Sequence, residues 1–175
     1  MVFREMRRKK QALSQQEIAQ ILQQETSGVL ALIGDEVYPY AVPISYVYDG
    51  EKLYFHSAKS GHKLDAIQQN AKASFCVVAK DTVVPEEYTT YFQSVIVFGQ
   101  IRLIQDERAK RAAIEKLAGK YAPEATTMEL EQEINREWNP LCLLEMTIDH
   151  VTVKEAIELC GKNNKHHKHS HTLMH

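Results

Sequence analysis

The chain has 175 residues, about the length of one domain, which excludes two large domains. Its composition, with 44% hydrophobic and 25% charged residues, is that of an ordinary globular protein and excludes a fully disordered or fibrous chain. The 21 basic and 23 acidic residues give a net charge of -2, which argues against a protein that mainly coats nucleic acid.

The N-terminal third predicts one helix followed by β structure. Ser14 and Glu17 have the spacing of a capping box, and the apolar stripe after them predicts a helix over residues 15–25. Runs of β-branched and aromatic residues then predict three strands, over residues 29–33, 37–48 and 53–57. We expect these strands to form a meander. Pro39 and Pro43 predict irregular or edge backbone within the second strand, because proline cannot donate to a strand ladder.

The rest of the chain predicts three more helices and three more strands. The helices cover residues 60–69, a segment that begins after Asp106 and stops before Pro123, and residues 127–138. The strands cover residues 74–79, 94–104 and 141–153, the first two separated by a polar segment at residues 80–90. Short connections disfavour a doubly wound parallel sheet, so we predict a mainly β fold, an antiparallel barrel or sheet with flanking helices.

A possible anion site lies where the third predicted strand runs into a helix. Ser57, Lys59, Ser60, His62 and Lys63 surround this helix start. The first turn of a helix exposes backbone N–H groups and the positive end of the helix dipole, so these side chains complete a phosphate site. The alternative is a capped surface helix with solvated lysines. No P-loop or Rossmann glycine pattern is present.

Two other features bear on function. The strand at residues 38–45 carries two prolines, which frees backbone groups for a planar heteroaromatic ligand or marks a protected edge strand. A lone histidine such as His56 is more often structural than catalytic. His56 and His62 belong to no tight cluster of ligands, so no metal site is predicted.

The order of several short motifs resembles a known family. They are Phe3-Arg-Glu-Met-Arg-Arg-Lys9, Gly28-Val-Leu30, Tyr38-Pro-Tyr40, Val42-Pro43, Tyr54-Phe-His-Ser57, Gly61-His-Lys-Leu-Asp65, Ser74-Phe-Cys-Val77 and Ser94-Val-Ile-Val-Phe-Gly99. The series resembles the 5-nitroimidazole resistance (Nim) proteins, a branch of the pyridoxamine 5'-phosphate oxidase-like flavin-binding family. The resemblance covers about residues 3–157.

The resemblance implies an antiparallel split β-barrel that binds FMN, usually as a homodimer with the flavins at the interface. The implied cofactor-binding residues are Val42, Pro43, Ile44 and Ser45 through their backbone, Ser57, Lys59, His62 and Lys63 around the phosphate, Ser94 near the cofactor, and Trp138 toward the partner's flavin. His56 matches a histidine beside the reactive edge of the flavin and becomes the candidate catalytic residue. No arginine stands next to Trp138, so pyridoxamine phosphate oxidation is not expected. The role of Lys154, where many relatives have Gly-Lys, is left open.

These expectations lead to two functional hypotheses. The first is an FMN-dependent oxidoreductase that passes electrons from a reduced nicotinamide to a small electrophile such as a nitroaromatic. The second is a flavin- or haem-binding module for storage or sensing without turnover. FAD is an alternative to FMN, because a diphosphate could extend from the same site. Nucleic-acid binding through the basic residues 4–10 is a weaker alternative.

The ends of the chain differ from its middle. Residues 1–13 are predicted to be a basic N-terminal arm, residues 14–157 the FMN-binding domain, and residues 158–175 a disordered histidine-rich tail. Three cysteines without C-x-x-C spacing favour a reducing compartment. No apolar run approaches the roughly 18 residues of a membrane span. We therefore expect a soluble cytoplasmic protein with small-molecule ligands.

Overall fold

The computed structural model describes Phe3 and residues 13–159, so the predicted arm and most of the predicted tail lie outside the described residues. The helices are α1 (Gln15–Gln24), α2 (His62–Gln69), α3 (Glu107–Tyr121) and α4 (Thr127–Glu137). The strands are β1 (Ser27–Ile33), β2 (Pro39–Ser45), β3 (Val47–Tyr48), β4 (Lys52–Ala58), β5 (Lys72–Val84), β6 (Thr89–Leu103) and β7 (Leu141–Glu155). A turn with positive φ at Glu36 and Val37 occurs at Asp35–Val37, and a 3-10 turn at Pro85–Glu87.

All seven strands belong to one sheet in the order β2-β1-β5-β6-β7-β4-β3. Every pair is antiparallel. Within residues 13–159 the two end strands β2 and β3 are not paired with each other, so the sheet is open rather than a closed ring. The predicted mainly β class with flanking helices, and the antiparallel split barrel, are confirmed.

The predicted three-strand meander is wrong. β2 pairs with β1, but β4 pairs with β3 and β7, at the other end of the sheet. The segment predicted as one strand over residues 37–48 divides at Tyr46, whose ring is fully buried. The hydroxyl of Tyr121 accepts a hydrogen bond from the Tyr46 N–H (2.9 Å), and its one hydrogen is shared between the carbonyl oxygens of Tyr46 (2.8 Å) and Thr26. Helix α3 therefore holds the bend that carries the chain from one end of the sheet to the other.

The polar segment predicted to separate two strands is itself part of a long hairpin. Residues 80–84 of β5 pair with residues 89–93 of β6, after a register shift between Val78 and Lys80. A strand ladder is made of backbone hydrogen bonds, so exposed polar side chains do not prevent it. The prediction relied on side-chain polarity and was wrong here.

The strands alternate in burial and enclose the main core. Leu30, Phe75 and Val97 are fully buried on the inner face. A smaller cluster lies on the outer face of β4 and β7 beneath α3, where Ala113 and Leu117 pack with Leu143. At Gly99 of β6 a Cβ atom would overlap the carbonyl oxygen of Thr147 on β7, so the two backbones approach too closely for any larger residue.

The helices begin where their capping residues predict. The Ser14–Glu17 and Thr126–Glu129 pairs form complete capping boxes, and the side chain of Asp106 accepts from the N–H of Ala109. In the described part of the chain, no helix combines the length and apolar composition required to cross a lipid bilayer. The helices instead flank the sheet.

Candidate functional site

The residues predicted to bind a phosphate lie where β4 ends and α2 begins. Ser57 lies directly opposite Cys142 in the β4–β7 ladder. Gly61 has φ +123° and ψ 165°, a backbone conformation that is essentially restricted to glycine, and it stands immediately before the first residue of α2. Lys59 lies in the connection and Lys63 in the first turn of α2. Ser57, Lys59 and Lys63 thus stand around the first N–H groups of α2, and their binding of a phosphate stays a prediction.

Positive charge gathers around the thiol of Cys142. Burial raises the pKa of Cys142, while the charges of Lys63, Lys110 and Lys59 act in the opposite direction. Burial also lowers the pKa of Lys63. Among the described residues no carboxylate forms a salt bridge with any of these three lysines. In that part of the chain these lysines, called the cationic cluster below, have no carboxylate counter-ion, which suits an anion.

Lys110 is the residue of this cluster that the sequence did not point to. It comes from α3, where it shares the buried face with Ala113 and Leu117. Its Nζ donates to the carbonyl oxygen of Trp138 (3.1 Å) and lies 4.1 Å from the centre of the indole ring. Lys110, Ala113 and Leu117 have the spacing of one helix face. This pattern is visible in the sequence and could have shown that a lysine lies in the apolar stripe of α3. The same contacts put Trp138 beside the cluster of its own chain.

His62 points toward a different neighbour. Its ring stacks on Tyr40 with 4.1 Å between ring centres, and its Nε2 atom lies 3.6 Å from a carboxylate oxygen of Asp35. Consecutive residues of a helix project about 100° apart, so His62 and Lys63 face different directions from the same turn. The structure thus brings Lys63 to the cationic cluster and His62 to the turn at Asp35–Val37.

His56 lies on the sheet face opposite to that of Ser57. It is exposed, whereas its neighbour Phe55 is fully buried in the barrel core. It pairs with Leu143, which packs beneath α3. No hydrogen bond or ion pair to His56 occurs within the described residues. The imidazole is therefore accessible and available to a bound molecule.

The β2 residues predicted to face a flavin ring lie on an end strand. Val42 and Ile44 pack against the barrel core, while Pro43 is exposed. The ladder pairs residues 42–45 with residues 27–30 of β1. The other edge of β2 has no strand partner among the described residues, so the expected edge strand is confirmed, while the use of its backbone by a ligand stays a prediction.

Ser94 is separated from the other predicted residues within one chain. It lies opposite Val78 on β5 and Lys154 on β7. Cys142 and Lys154 are at opposite ends of β7, and a strand of that length spans on the order of 40 Å at its usual rise per residue. The structure does not bring Ser94 to the cationic cluster of the same chain.

Comparison with known proteins gives the family and the fold. The sequence matches the pyridoxamine 5'-phosphate oxidase family over residues 14–155. No functionally curated protein matches it significantly. Three solved structures that are similar to this chain are described below, and each shares 23% sequence identity or less with it. At such identities the likeness shows the fold alone.

The first is a candidate 5-nitroimidazole antibiotic resistance protein from Bacteroides thetaiotaomicron, with TM-score 0.68 and 21% identity over 81% of this chain and 83% of that chain. The second is a conserved hypothetical protein of Mycobacterium tuberculosis, with TM-score 0.76 and 18% identity over 89% and 92%. The third is an FAD- and haem-binding protein from Mycobacterium smegmatis, with TM-score 0.66 and 23% identity over 85% and 74%. Since the family match spans most of the sequence, the chain belongs to the pyridoxamine 5'-phosphate oxidase family.

Proposed function

We propose that the protein is an FMN-dependent oxidoreductase that reduces a small electrophile, such as a nitroaromatic, with electrons from a reduced nicotinamide. The observation that carries the proposal is the cluster of Lys59 and Lys63 beside Ser57 at the start of α2, without a carboxylate partner among the described residues. Family membership and a relative described as binding FAD and haem support a flavin as the ligand.

The chain's own residues fit a phosphorylated flavin. Ser57 and the first N–H groups of α2 can donate to phosphate oxygens, and the two lysines supply positive charge. The free edge of β2 at residues 42–45 offers backbone donors and acceptors to the edge of a planar ring system. FMN, when bound, supplies two-electron redox chemistry.

His56 is the proposed catalytic residue. Its imidazole is exposed, so it can orient a substrate or hold and deliver a proton at a ring nitrogen. It follows Phe55 in β4, whose burial in the core fixes the backbone on which His56 stands. The rigid strand would therefore keep the imidazole in place while the substrate binds and leaves.

A homodimer completes the proposal. Ser94, one of the residues expected near the cofactor, lies at the far end of β7 from the cationic cluster. Exposed apolar side chains on the outer sheet face, including Val29 and Val78, offer a surface for a second copy. We propose that Ser94 of one copy approaches the ligand of the other across this face, with Trp138 as a further wall of the site.

The test is direct. Purified protein is titrated with FMN and the quenching of flavin fluorescence is measured, then NADH or NADPH is added and reoxidation by a nitroimidazole is followed over many cycles. We expect binding, reduction and repeated turnover, with turnover in His56→Ala reduced about 100-fold or more. Failure to bind FMN would overturn the proposal. If His56→Ala cycled as fast as the wild type, the role of His56 would be wrong although the enzyme would stand.

The second candidate function is a flavin- or haem-binding module that stores or senses its ligand. It is favoured by the lack of any hydrogen-bonding partner for His56 among the described residues, since an acid–base residue is usually oriented by a neighbour. A protein that binds flavin, but whose flavin is neither reduced by nicotinamide nor reoxidised by nitroimidazole, would establish this alternative. Mass analysis of the extracted ligand separates FMN, FAD and haem.

A further inference from the structure

A groove lies where β6 runs into α3. Its volume is about 550 Å³, and residues of α2, β6, α3 and β7 line it. Ile67, Ile101 and Ile104 form its apolar walls and are themselves largely buried. Its described lining includes none of the residues predicted to bind the flavin. The size of the groove and its apolar walls are typical of a site for a small molecule.

A buried carboxylate forms the polar part of the groove. Only 8% of the Glu145 side chain is exposed, and cations from both neighbouring strands bind it. Its Oε2 atom accepts from Lys52 of β4 (3.2 Å), and its Oε1 atom accepts from the Nε (2.7 Å) and Nη2 atoms of Arg102 on β6. Burial raises the pKa of Glu145, but the hydrogen bonds from Arg102 and Lys52 outweigh it and lower the pKa. The carboxylate therefore stays ionised.

Glu145 in turn fixes the guanidinium group of Arg102. The Arg102 side chain lines the groove and is 74% exposed, so its contact with a buried carboxylate is what orients it. A guanidinium group has five N–H donors, and the two bonds to Glu145 use the side that carries Nε. Within the described residues Arg102 makes no other hydrogen bond, which leaves the end with both Nη atoms to a ligand. Two Nη atoms side by side match the two oxygens of a carboxylate.

The charges around the groove favour an anion. Lys52 and Arg102 carry two positive charges against the one negative charge of Glu145. Asp106 also lines the groove, but its carboxylate accepts from the N–H of Ala109 (2.8 Å) at the positive start of α3. Charges withdrawn from water are costly, and apolar residues often serve such a position equally well. A ligand anion would supply the counter-charge that the second cation lacks.

We propose that this groove binds a small carboxylate with an apolar body, such as an aromatic or short aliphatic monocarboxylate. The ligand's carboxylate oxygens accept from the two Nη atoms of Arg102, and its apolar body packs against the isoleucine walls. Glu145 is a positioning residue, because it holds the guanidinium group. The groove is separate from the proposed flavin site, since it adjoins the C-terminal end of α2 and the residues predicted to bind a phosphate lie at the N-terminal end.

The experiment uses benzoate as the probe and benzyl alcohol as its uncharged counterpart. The backbone N–H signals of the isotope-labelled protein are followed by NMR during each titration. We expect benzoate to shift the signals of residues 102–106 saturably, with a dissociation constant of about 1 mM or tighter. Benzyl alcohol should bind at least about tenfold more weakly, because it cannot pair with the guanidinium group.

Two arginine variants test the role of the guanidinium group. Arg102→Lys keeps a cation for Glu145 but loses the paired Nη donors, so we expect benzoate binding to weaken at least about tenfold. Arg136 of α4 is the matched control, because it is also exposed and also pairs with carboxylates, those of Glu133 and Glu137. Arg136→Lys should bind benzoate as the wild type does.

A further variant does not depend on the ion pairs and decides the question if Arg102→Lys fails to fold. Leu103 lines the groove and is 40% exposed, so Leu103→Glu places a negative charge beside the ligand. Like charges repel, and benzoate binding should be lost. Val83→Glu changes an exposed strand position outside the groove and should leave benzoate binding unchanged.

The opposite results are equally clear. A wild-type protein without saturable shifts, or one that binds benzyl alcohol as tightly as benzoate, would overturn the proposal. Unchanged benzoate affinity in Arg102→Lys or Leu103→Glu, or an equal loss in Arg136→Lys, would show that binding occurs elsewhere and would refute it.

A competition with FMN separates this inference from the proposed function. We expect saturating FMN to leave benzoate binding unchanged. Displacement of benzoate by FMN would make the groove part of the flavin site and contradict the inference. A protein that binds benzoate in the groove but does not bind FMN would contradict the proposed function and leave the groove assignment standing.

Discussion

At the scale of single residues, Tyr46 and Tyr121 form an informative pair. Tyr46 is fully buried, and its hydroxyl oxygen has no hydrogen-bond partner among the described residues. Burial raises the pKa of Tyr46, so this phenol stays neutral. The hydroxyl of Tyr121 is instead fully used: it accepts from the Tyr46 N–H, and its hydrogen is shared between the carbonyls of Tyr46 and Thr26.

We therefore expect the two Tyr→Phe substitutions to have opposite effects. Tyr46→Phe should leave stability unchanged or raise it by about 1 kcal/mol, since a buried donor without a partner is costly. Tyr121→Phe should lower stability by about 1 to 3 kcal/mol, because it leaves backbone groups of the buried Tyr46 unsatisfied. Urea unfolding at neutral pH measures both. A clear loss of stability in Tyr46→Phe would mean that its hydroxyl does have a partner.

Asp49 gives a prediction about pH. Its carboxylate accepts from the N–H groups of Glu51 (3.0 Å) and Lys52 (2.9 Å) and forms an ion pair with Lys116 of α3. Burial raises the pKa of Asp49, but the hydrogen bond from Lys116 and those from the two backbone N–H groups outweigh it and lower the pKa from 3.8 to about 2. The folded state thus favours the ionised carboxylate.

A carboxyl group whose pKa is lower in the folded state stabilises the fold at pH values above its unfolded-state pKa. This stabilisation is lost as the pH falls through the folded-state pKa. We expect the wild type to be more stable than Asp49→Asn above about pH 4. The difference should shrink as the pH falls from 3.8 toward about 2. Denaturant unfolding of both proteins across this range provides the measurement. A difference that stayed constant down to pH 2 would exclude the carboxylate as its source.

At the scale of elements, the start of α2 depends on one glycine. The backbone of Gly61 lies in a region that other residues avoid, although a Cβ atom there would meet no neighbour. Gly119 is an exposed position within α3 where a Cβ atom also meets nothing and φ is not positive. An alanine at either position would cause no steric clash, so a difference in stability between the two alanine variants reports the backbone conformation alone.

We expect Gly61→Ala to lower stability by about 1 to 3 kcal/mol, and Gly119→Ala to raise it by about 0.5 to 1 kcal/mol. FMN binding, under the proposed function, should weaken only in Gly61→Ala, because a shifted helix start no longer aims its N–H groups at the phosphate. Thermal unfolding and flavin titration of the two variants supply the comparison. Equal stability of the two would argue against strain at residue 61.

At the scale of the whole molecule, the outer sheet face decides whether the proposed dimer exists. Val78 is 58% exposed and lies directly opposite Ser94. Met128, 71% exposed, is an apolar residue of helix α4 rather than of the sheet and serves as a matched control. A charge placed at the centre of an interface opposes association strongly, whereas the same charge on a free surface does not.

We expect the wild type and Met128→Glu to be dimeric by light scattering, and Val78→Glu to be mainly monomeric with weakened FMN binding. A wild-type protein that is monomeric with FMN present would exclude the dimer. A Val78→Glu variant that remained dimeric would place the interface elsewhere.

The sequence by itself determined the features that depend on near neighbours along the chain. Capping residues such as Ser14 and Asp106 mark helix starts because their side chains bond to N–H groups within three positions. The positions of Lys59 and Lys63 around one helix start could likewise be predicted, since a strand end and a helix start are adjacent in sequence.

Features that depend on contacts between residues far apart in the sequence were decided only by the tertiary structure. The strand order, the bend at Tyr46, and the contact of Lys110 with Trp138 each join residues far apart in sequence. The separation of Ser94 from the predicted phosphate site likewise follows from the ladder of β6 with β7. The periodicity of a strand shows which of its faces is buried. Its backbone N–H and C=O groups can pair with those of any other strand, however, so the packing of the whole core determines which strand lies beside it.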